Sequence, residues 1–277
     1  MPWAEGHVST NGARLHYYRT GAGERPPIVL AHGVTDIADV WRVTAQALEP
    51  HYDVVLYDAR GHGRSDKPAS GYAPEDHAAD LIGLVAALGL ARPRLLGHSM
   101  GAGNVALAAA TAPDLASCVL LEDPPWRPAA AANTPAEQEQ FSAAWRADLL
   151  RWQAMSRAEL LEECRRIHPT WPEDEVSAWA DAKLLLSPAV LGYVAALRPD
   201  WEATVGRIAC PLLLITGDPE LGAIVTPETA QRVAQLAPQA RVARVDGAGH
   251  SIRRERRERY LAAVLGFLGE RDGWGGA

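Results

Sequence analysis

The feature that most narrows the folds open to this chain is a set of short, uninterrupted apolar runs: Ile28-Val29-Leu30, Val54-Val55-Leu56-Tyr57, Leu95-Leu96, Val119-Leu120-Leu121 and Leu212-Leu213-Leu214-Ile215. A strand with one wet face alternates polar and apolar residues, whereas a strand covered on both faces does not, so such runs belong in a parallel sheet sandwiched by helices. Segments with helical period separate them, at residues 73–90, 102–112 and 227–236, the last entered through Thr226 as N-cap with Pro227 in the first helical position. This alternation implies right-handed crossovers and places ligands at the carboxyl ends of the strands. Ahead of it, residues 7–10 and 13–19 flank Asn11-Gly12, a pair that tolerates the positive φ angles of a type I′ hairpin. The expected fold is α/β, a mostly parallel eight-stranded sheet with helices on both faces.

The rhythm stops between Pro124 and Asp200, where helical period continues without a convincing strand. The expected organisation is therefore a core formed by residues 1–123 and 201–277, with a helical cap, residues 124–200, inserted after strand 6. Thr134-Pro135-Ala136-Glu137 and Ser156-Arg157-Ala158-Glu159 both match the capping box, in which hydroxyl and carboxylate satisfy each other's orphan amides. Phe141, Trp145, Leu149 and Trp152 recur at helical spacing and give the first cap helix an apolar face. Of the 9 tryptophans, Trp126, Trp145, Trp152, Trp171, Trp179 and Trp201 fall in or beside this segment. Ordinary packing accounts for any one of them; together they suggest the roof of an apolar pocket, lined by Trp126 and Trp145.

Composition removes several function classes. A net charge of −7 argues against the basic stripe that nucleic-acid binding requires. No run of about eighteen apolar residues is present for a membrane span. The start, Met1-Pro2-Trp3-Ala4-Glu5, lacks the features of a signal peptide, so a cytoplasmic protein is expected, monomeric or homodimeric. Cys118, Cys164 and Cys210 are odd in number and far apart, which suits reduced packing residues rather than a disulfide framework or zinc site. The run Arg253-Arg254-Glu255-Arg256-Arg257-Glu258-Arg259 alternates sign and reads as a solvated helix face with local ion pairs.

Chemistry enters with Gly97-His98-Ser99-Met100-Gly101, which follows an apolar strand and opens an alanine-rich helix. In that context G-x-S-x-G describes a nucleophile lifted clear of the sheet on a sharp, strained turn, where glycines are needed because side chains would collide across the bend. Ser99 is the expected nucleophile. A serine hydroxyl is weak near neutral pH and needs a base, for which imidazole is suited. Of 9 histidines, His250 lies in Gly247-Ala248-Gly249-His250-Ser251, where small neighbours leave the ring room to move. His32 and His98 adjoin tight turns and suit structural hydrogen bonds; His168 is read as a solvated surface residue.

With these motifs the chain resembles the α/β-hydrolase fold family over nearly its whole length. The resemblance makes His250 the family's base and Ala31-His32-Gly33-Val34 its oxyanion turn, with the backbone amides of Val34 and Met100 as donors. Asp58 to Ser65 resembles the loop after strand 4 and is assigned turn and ion-pair roles. Most members carry the acid after strand 7, where Ile215-Thr216-Gly217-Asp218-Pro219-Glu220 departs from the common spacing. Some branches carry it after strand 6, which here ends in Leu121-Glu122-Asp123-Pro124-Pro125. Asp123 is favoured, ahead of Asp218 and then Glu220. Serine at position 99 argues against dehalogenase or epoxide hydrolase chemistry, for which such relatives use aspartate.

The function expected is cleavage of a small-molecule carboxylic ester or lactone, medium-sized and apolar, through an acyl-enzyme, with no metal or organic cofactor. Two alternatives stay open. One keeps the triad for carbon–carbon cleavage of a diketone or for cofactor-free peroxidase chemistry; the other is a ligand-sensing protein on a hydrolase scaffold.

Overall fold

The computed structural model describes residues 3–127, 135–196 and 199–274. Strands β1 (Ala4–Thr10) and β2 (Ala13–Arg19) pair antiparallel, with Asn11 and Gly12 at φ +45° and +73° as the hairpin turn demands. Then follow β3 (Pro27–Ala31), α1 (Arg42–Leu48), β4 (Asp53–Tyr57), α2 (Pro74–Ala87), β5 (Arg94–His98), α3 (Met100–Thr111) and β6 (Cys118–Glu122). After the helices α4 (Pro135–Gln153), α5 (Arg157–Ile167), α6 (Glu173–Leu185) and α7 (Leu191–Ala195), the alternation resumes with α8 (Trp201–Gly206), β7 (Leu212–Thr216), α9 (Pro227–Leu236) and β8 (Ala240–Arg244). Two helices, α10 (Ile252–Glu255) and α11 (Arg257–Asp272), complete the described chain. The eight strands form one sheet in the order β1-β2-β4-β3-β5-β6-β7-β8, parallel from β4 onward.

The apolar runs are continuous because alternate residues feed two different cores. Val29, Val55, Leu95, Val119, Leu121, Leu212 and Leu214 pack under α2, α3, α8 and α9. Ile28, Leu30, Val54, Leu56, Leu96, Leu120, Leu213 and Ile215 pack on the opposite face against α1 and α11. Helix α3 is buried nearly all round, which is why it is built of Gly101, Ala102, Ala106, Ala108 and Ala109: small side chains let it lie close to the sheet. At the edge, β8 departs from the pattern, leaving Val242 exposed.

Between β6 and β7 the described residues form helices and no strand. The Ser156 capping box is present: the hydroxyl accepts from the Glu159 amide at 3.3 Å, and the Ser156 amide donates to the Glu159 carboxylate at 2.7 Å. Its counterpart at Thr134 falls outside the described residues. The expected apolar face of α4 is graded along its length: Phe141 is exposed, whereas Leu149 is buried with the main core. Leu160, Cys164, Trp171, Val176 and Trp179 make a small core within the insertion itself.

Two sequence readings need correction. Arg253 and Arg254 do not sit on a solvated face; both are buried, ion-paired to Asp36, Glu122 and Glu175 from three distant parts of the chain. Three carboxylates supplied by β6, α6 and the loop after β3 make burial of two guanidinium groups tolerable. His168 is half-buried, stacked on Trp171 with centroids 3.7 Å apart, and burial pushes it down to about 4. Among the described residues no helix is long and apolar enough to cross a membrane.

Candidate active site

Ser99 occupies the single-residue bend between β5 and α3, at φ +52° and ψ −117°, a conformation that L-residues rarely adopt. Two hydrogen bonds hold it there: its amide donates to the Glu122 carbonyl on β6 at 2.9 Å, and its carbonyl accepts from Gly103 at 3.0 Å. A Cβ on Gly97 would collide with the backbone of Gly101 and Ala102, and one on Gly101 with the carbonyl oxygens of Ala31 and His32. Rigid backbone offers no room to yield, so Gly101→Ala is expected to cost about 2–3 kcal/mol of stability. Urea unfolding checks this; a loss under about 0.5 kcal/mol would mean that the bend is not tight.

Asp123 follows the last residue of β6 and has positive φ as well, +41°. Its amide donates to Ile215 of β7 at 3.0 Å, and its side chain is wholly inaccessible to solvent. The carboxylate accepts three hydrogen bonds: Val225 amide at 2.9 Å, Ile224 amide at 2.8 Å and His250 Nδ1 at 2.6 Å. Three donors are what an ionised carboxylate needs when water is excluded. With Nδ1 occupied by Asp123, the proton-accepting position of a neutral His250 is Nε2, and the side chain keeps 34% of its surface open.

The backbone around His250 is clamped from both sides. Glu255 accepts from the Gly249 amide at 2.5 Å and from the Ser251 amide at 3.3 Å. His98 Nε2 donates to the His250 carbonyl at 2.9 Å, so the histidine inside the serine motif supports the loop that carries His250. His32 also serves structure: Nδ1 donates to the Gly33 carbonyl at 2.8 Å and Nε2 accepts from the Ala59 amide at 3.0 Å, and burial lowers its pKa.

The other two carboxylates have different surroundings. Asp218 accepts from Gly247 at 2.6 Å and Arg244 at 2.7 Å, and these contacts hold it below the usual carboxylate range. Glu220 is exposed. Thus His250 is joined to the carboxylate after β6, while the carboxylate after β7 braces the start of the loop that carries His250.

The end of the expected oxyanion turn, Gly33 and Val34, and the two residues that follow it are held at successive points. The Asp36 amide closes onto the Gly33 carbonyl at 3.1 Å, the Val34 carbonyl lies 2.8 Å from His62 Nε2, and the Asp36 carboxylate meets Arg254 at 3.0 Å. Met100 opens α3, where backbone N–H groups lack intrahelical partners. Of the expected pocket residues, Trp126 is buried and stacked on Trp201 at 5.6 Å, and Trp145 is partly buried against the main core. Sequence reasoning missed Asp36, Glu122, Glu175, Lys183, Arg253 and Arg254 as one buried charged cluster. No local signal joins them, since Arg253 and Asp36 are 217 positions apart.

A mostly parallel sheet with a serine on the bend after its central strand, and a paired histidine and aspartate at the ends of neighbouring strands, defines the class of α/β hydrolases. The family model for the alpha/beta hydrolase fold matches residues 26–253, and the chain belongs to that family. It is a hydrolase. It is 31% identical over 272 residues to an N-formylmaleamate deformylase of Pseudomonas putida, covering 96% of each chain. The crystal structure of an E-2-(acetamidomethylene)succinate hydrolase superposes with a TM-score of 0.82 at 26% identity, over 96% of this chain and 99% of that one. An enol-lactonase from Burkholderia xenovorans is similar at TM-score 0.73 and 26% identity, over 95% and 99%.

Proposed function

We propose that this hydrolase acts through Ser99 as nucleophile, His250 as general base and acid, and Asp123 as the carboxylate that orients the imidazole. The observation that carries the proposal is the 2.6 Å bond between His250 Nδ1 and Asp123 at the strand ends where Ser99 sits on its strained bend. Ser99 Oγ attacks an acyl carbonyl as His250 Nε2 takes its proton. The amides of Val34 and Met100 receive the oxyanion, each worth about 3–4 kcal/mol in the transition state. Imidazolium then protonates the leaving group, and water activated by the same ring releases the acid.

The substrate is a medium-sized apolar ester or lactone, held between the sheet and helices α4 to α7 acting as a cap, with Trp126 and Trp145 contributing apolar surface. The similarity to an enol-lactonase supports this reading. Similarity to a deformylase over 96% of both chains supports a second one, in which the same steps cleave an acyl group from nitrogen. An N-acyl bond demands more of the base, because the departing nitrogen must be protonated as it leaves.

Steady-state assays on p-nitrophenyl esters of increasing chain length, an enol lactone and an N-formyl amide separate these readings. Sustained turnover of the first two above the third is expected, with an acyl mass adduct on Ser99 in quenched reactions. Faster turnover of the amide would move the assignment to the second reading. Cleavage of a diketone without any acyl-transfer activity, or ligand binding without turnover, would overturn both.

A further inference from the structure

Lys183, on α6 of the insertion, has no solvent-accessible surface, yet its side chain ends in an ionisable amine. Its Nζ donates to the Thr35 carbonyl at 2.7 Å, one residue beyond Val34. The rings of Trp179 and Trp152 face the same nitrogen with centroids 4.6 and 5.1 Å away, contacts that favour a cation. Successive carbonyls of the turn are therefore met by groups from different elements: Val34 by His62, Thr35 by Lys183. Because each peptide unit is planar, the Thr35 carbonyl held by Lys183 fixes the Asp36 N–H, which donates to the Gly33 carbonyl at 3.1 Å, and the Gly33 carbonyl shares its plane with the Val34 N–H.

We propose that Lys183 is a positioning residue for the oxyanion amide of Val34, making catalysis depend on the seating of α6 against the loop after β3. The inference rests on the serine-hydrolase reading above. Burying a lysine is costly, and the chain spends that cost on a hydrogen bond to a turn that must hold its shape as negative charge develops. The groups facing Lys183 are Asp36 on the turn, Arg254 from α10, Glu175 from its own helix through Arg254, Cys164 from α5, His168 just after α5, and the two tryptophans.

A pH signature follows. Burial pulls Lys183 down to about 7, with Asp36 opposing and Arg254 reinforcing the change. The ammonium, present below that value, makes a charge-assisted bond to Thr35; the neutral amine above it makes a weaker one. The contribution of Lys183 to kcat is thus complete in mild acid and declines as pH rises through about 7.

The test is kcat and KM from pH 5.5 to 9 on the best ester for wild type, Lys183→Met and Lys183→Arg, with Ser99→Ala alongside. Lys183→Met is expected to lose at least about tenfold in kcat at pH 6 with KM within about twofold, and to lack the decline near neutrality. Lys183→Arg, always charged, is expected to regain part of kcat without the decline; it carries the test by itself if the methionine variant does not fold. Unchanged kcat, a loss confined to KM, or a decline that persists in both variants would overturn the proposal. Wild-type rates in Ser99→Ala would instead overturn the serine reading, and this inference with it.

Discussion

Ser99→Ala is expected to reduce kcat on an ester or lactone by about 10⁵–10⁶-fold while leaving the fold and substrate binding intact. The change removes a single atom, Oγ, and keeps Cβ, so the strain at φ +52° and the hydrogen bonds to Glu122 and Gly103 are the same in both proteins. What remains is the rate that oriented amides alone can supply, roughly 10³–10⁴-fold over water in comparable hydrolases. Intact near-ultraviolet circular dichroism and a midpoint of unfolding near that of wild type would show that the loss is chemical. A loss smaller than about 100-fold, with the fold intact, would mean that the nucleophile is elsewhere.

Asp123→Asn is expected to lower kcat by about 10⁴-fold, and Asp218→Asn by less than about tenfold. The buried carboxylate of Asp123 accepts from Ile224, Val225 and His250, so both of its oxygens are acceptors in use. An amide keeps one oxygen and substitutes an NH₂ donor for the other. If that oxygen takes the place that accepts from Val225, NH₂ faces both the Ile224 amide and Nδ1, and the imidazole must flip its tautomer, placing a hydrogen on the nitrogen that should receive the serine proton. If the oxygen takes the place shared by Ile224 and His250, the Val225 amide loses its acceptor and faces NH₂ at a cost of about 1–3 kcal/mol. Asp218 is bound to Arg244 and Gly247 at the rim, where its loss loosens the start of the base loop without altering the ring's proton. Equal losses in the two variants, or the reverse order, would transfer the acid's role to the carboxylate after β7.

The strands and the nucleophile bend were legible because each is written in neighbouring residues. Five apolar runs became β3 to β7, and Gly97 and Gly101 bracket a bend that excludes any Cβ. Helix limits shifted by a few residues, as for α2, which begins at Pro74 rather than 73 and ends at Ala87 rather than 90. Burial was misread where it depends on partners. Arg253 and Arg254 carry the local signature of a wet helix face, and they are inside because Asp36, Glu122 and Glu175 arrive from 79 to 218 positions away.

The sequence by itself determined the sheet class, the serine bend and the small-residue loop that carries His250, since steric limits and hydrophobic period act over a few residues. Tertiary structure alone decided which carboxylate meets the imidazole, where the two arginines and Lys183 find counter-charges, and which tryptophans stack on one another. Hydrogen bonds and ion pairs act over a few ångströms in space whatever their separation along the chain, so their partners exist only once the chain has folded.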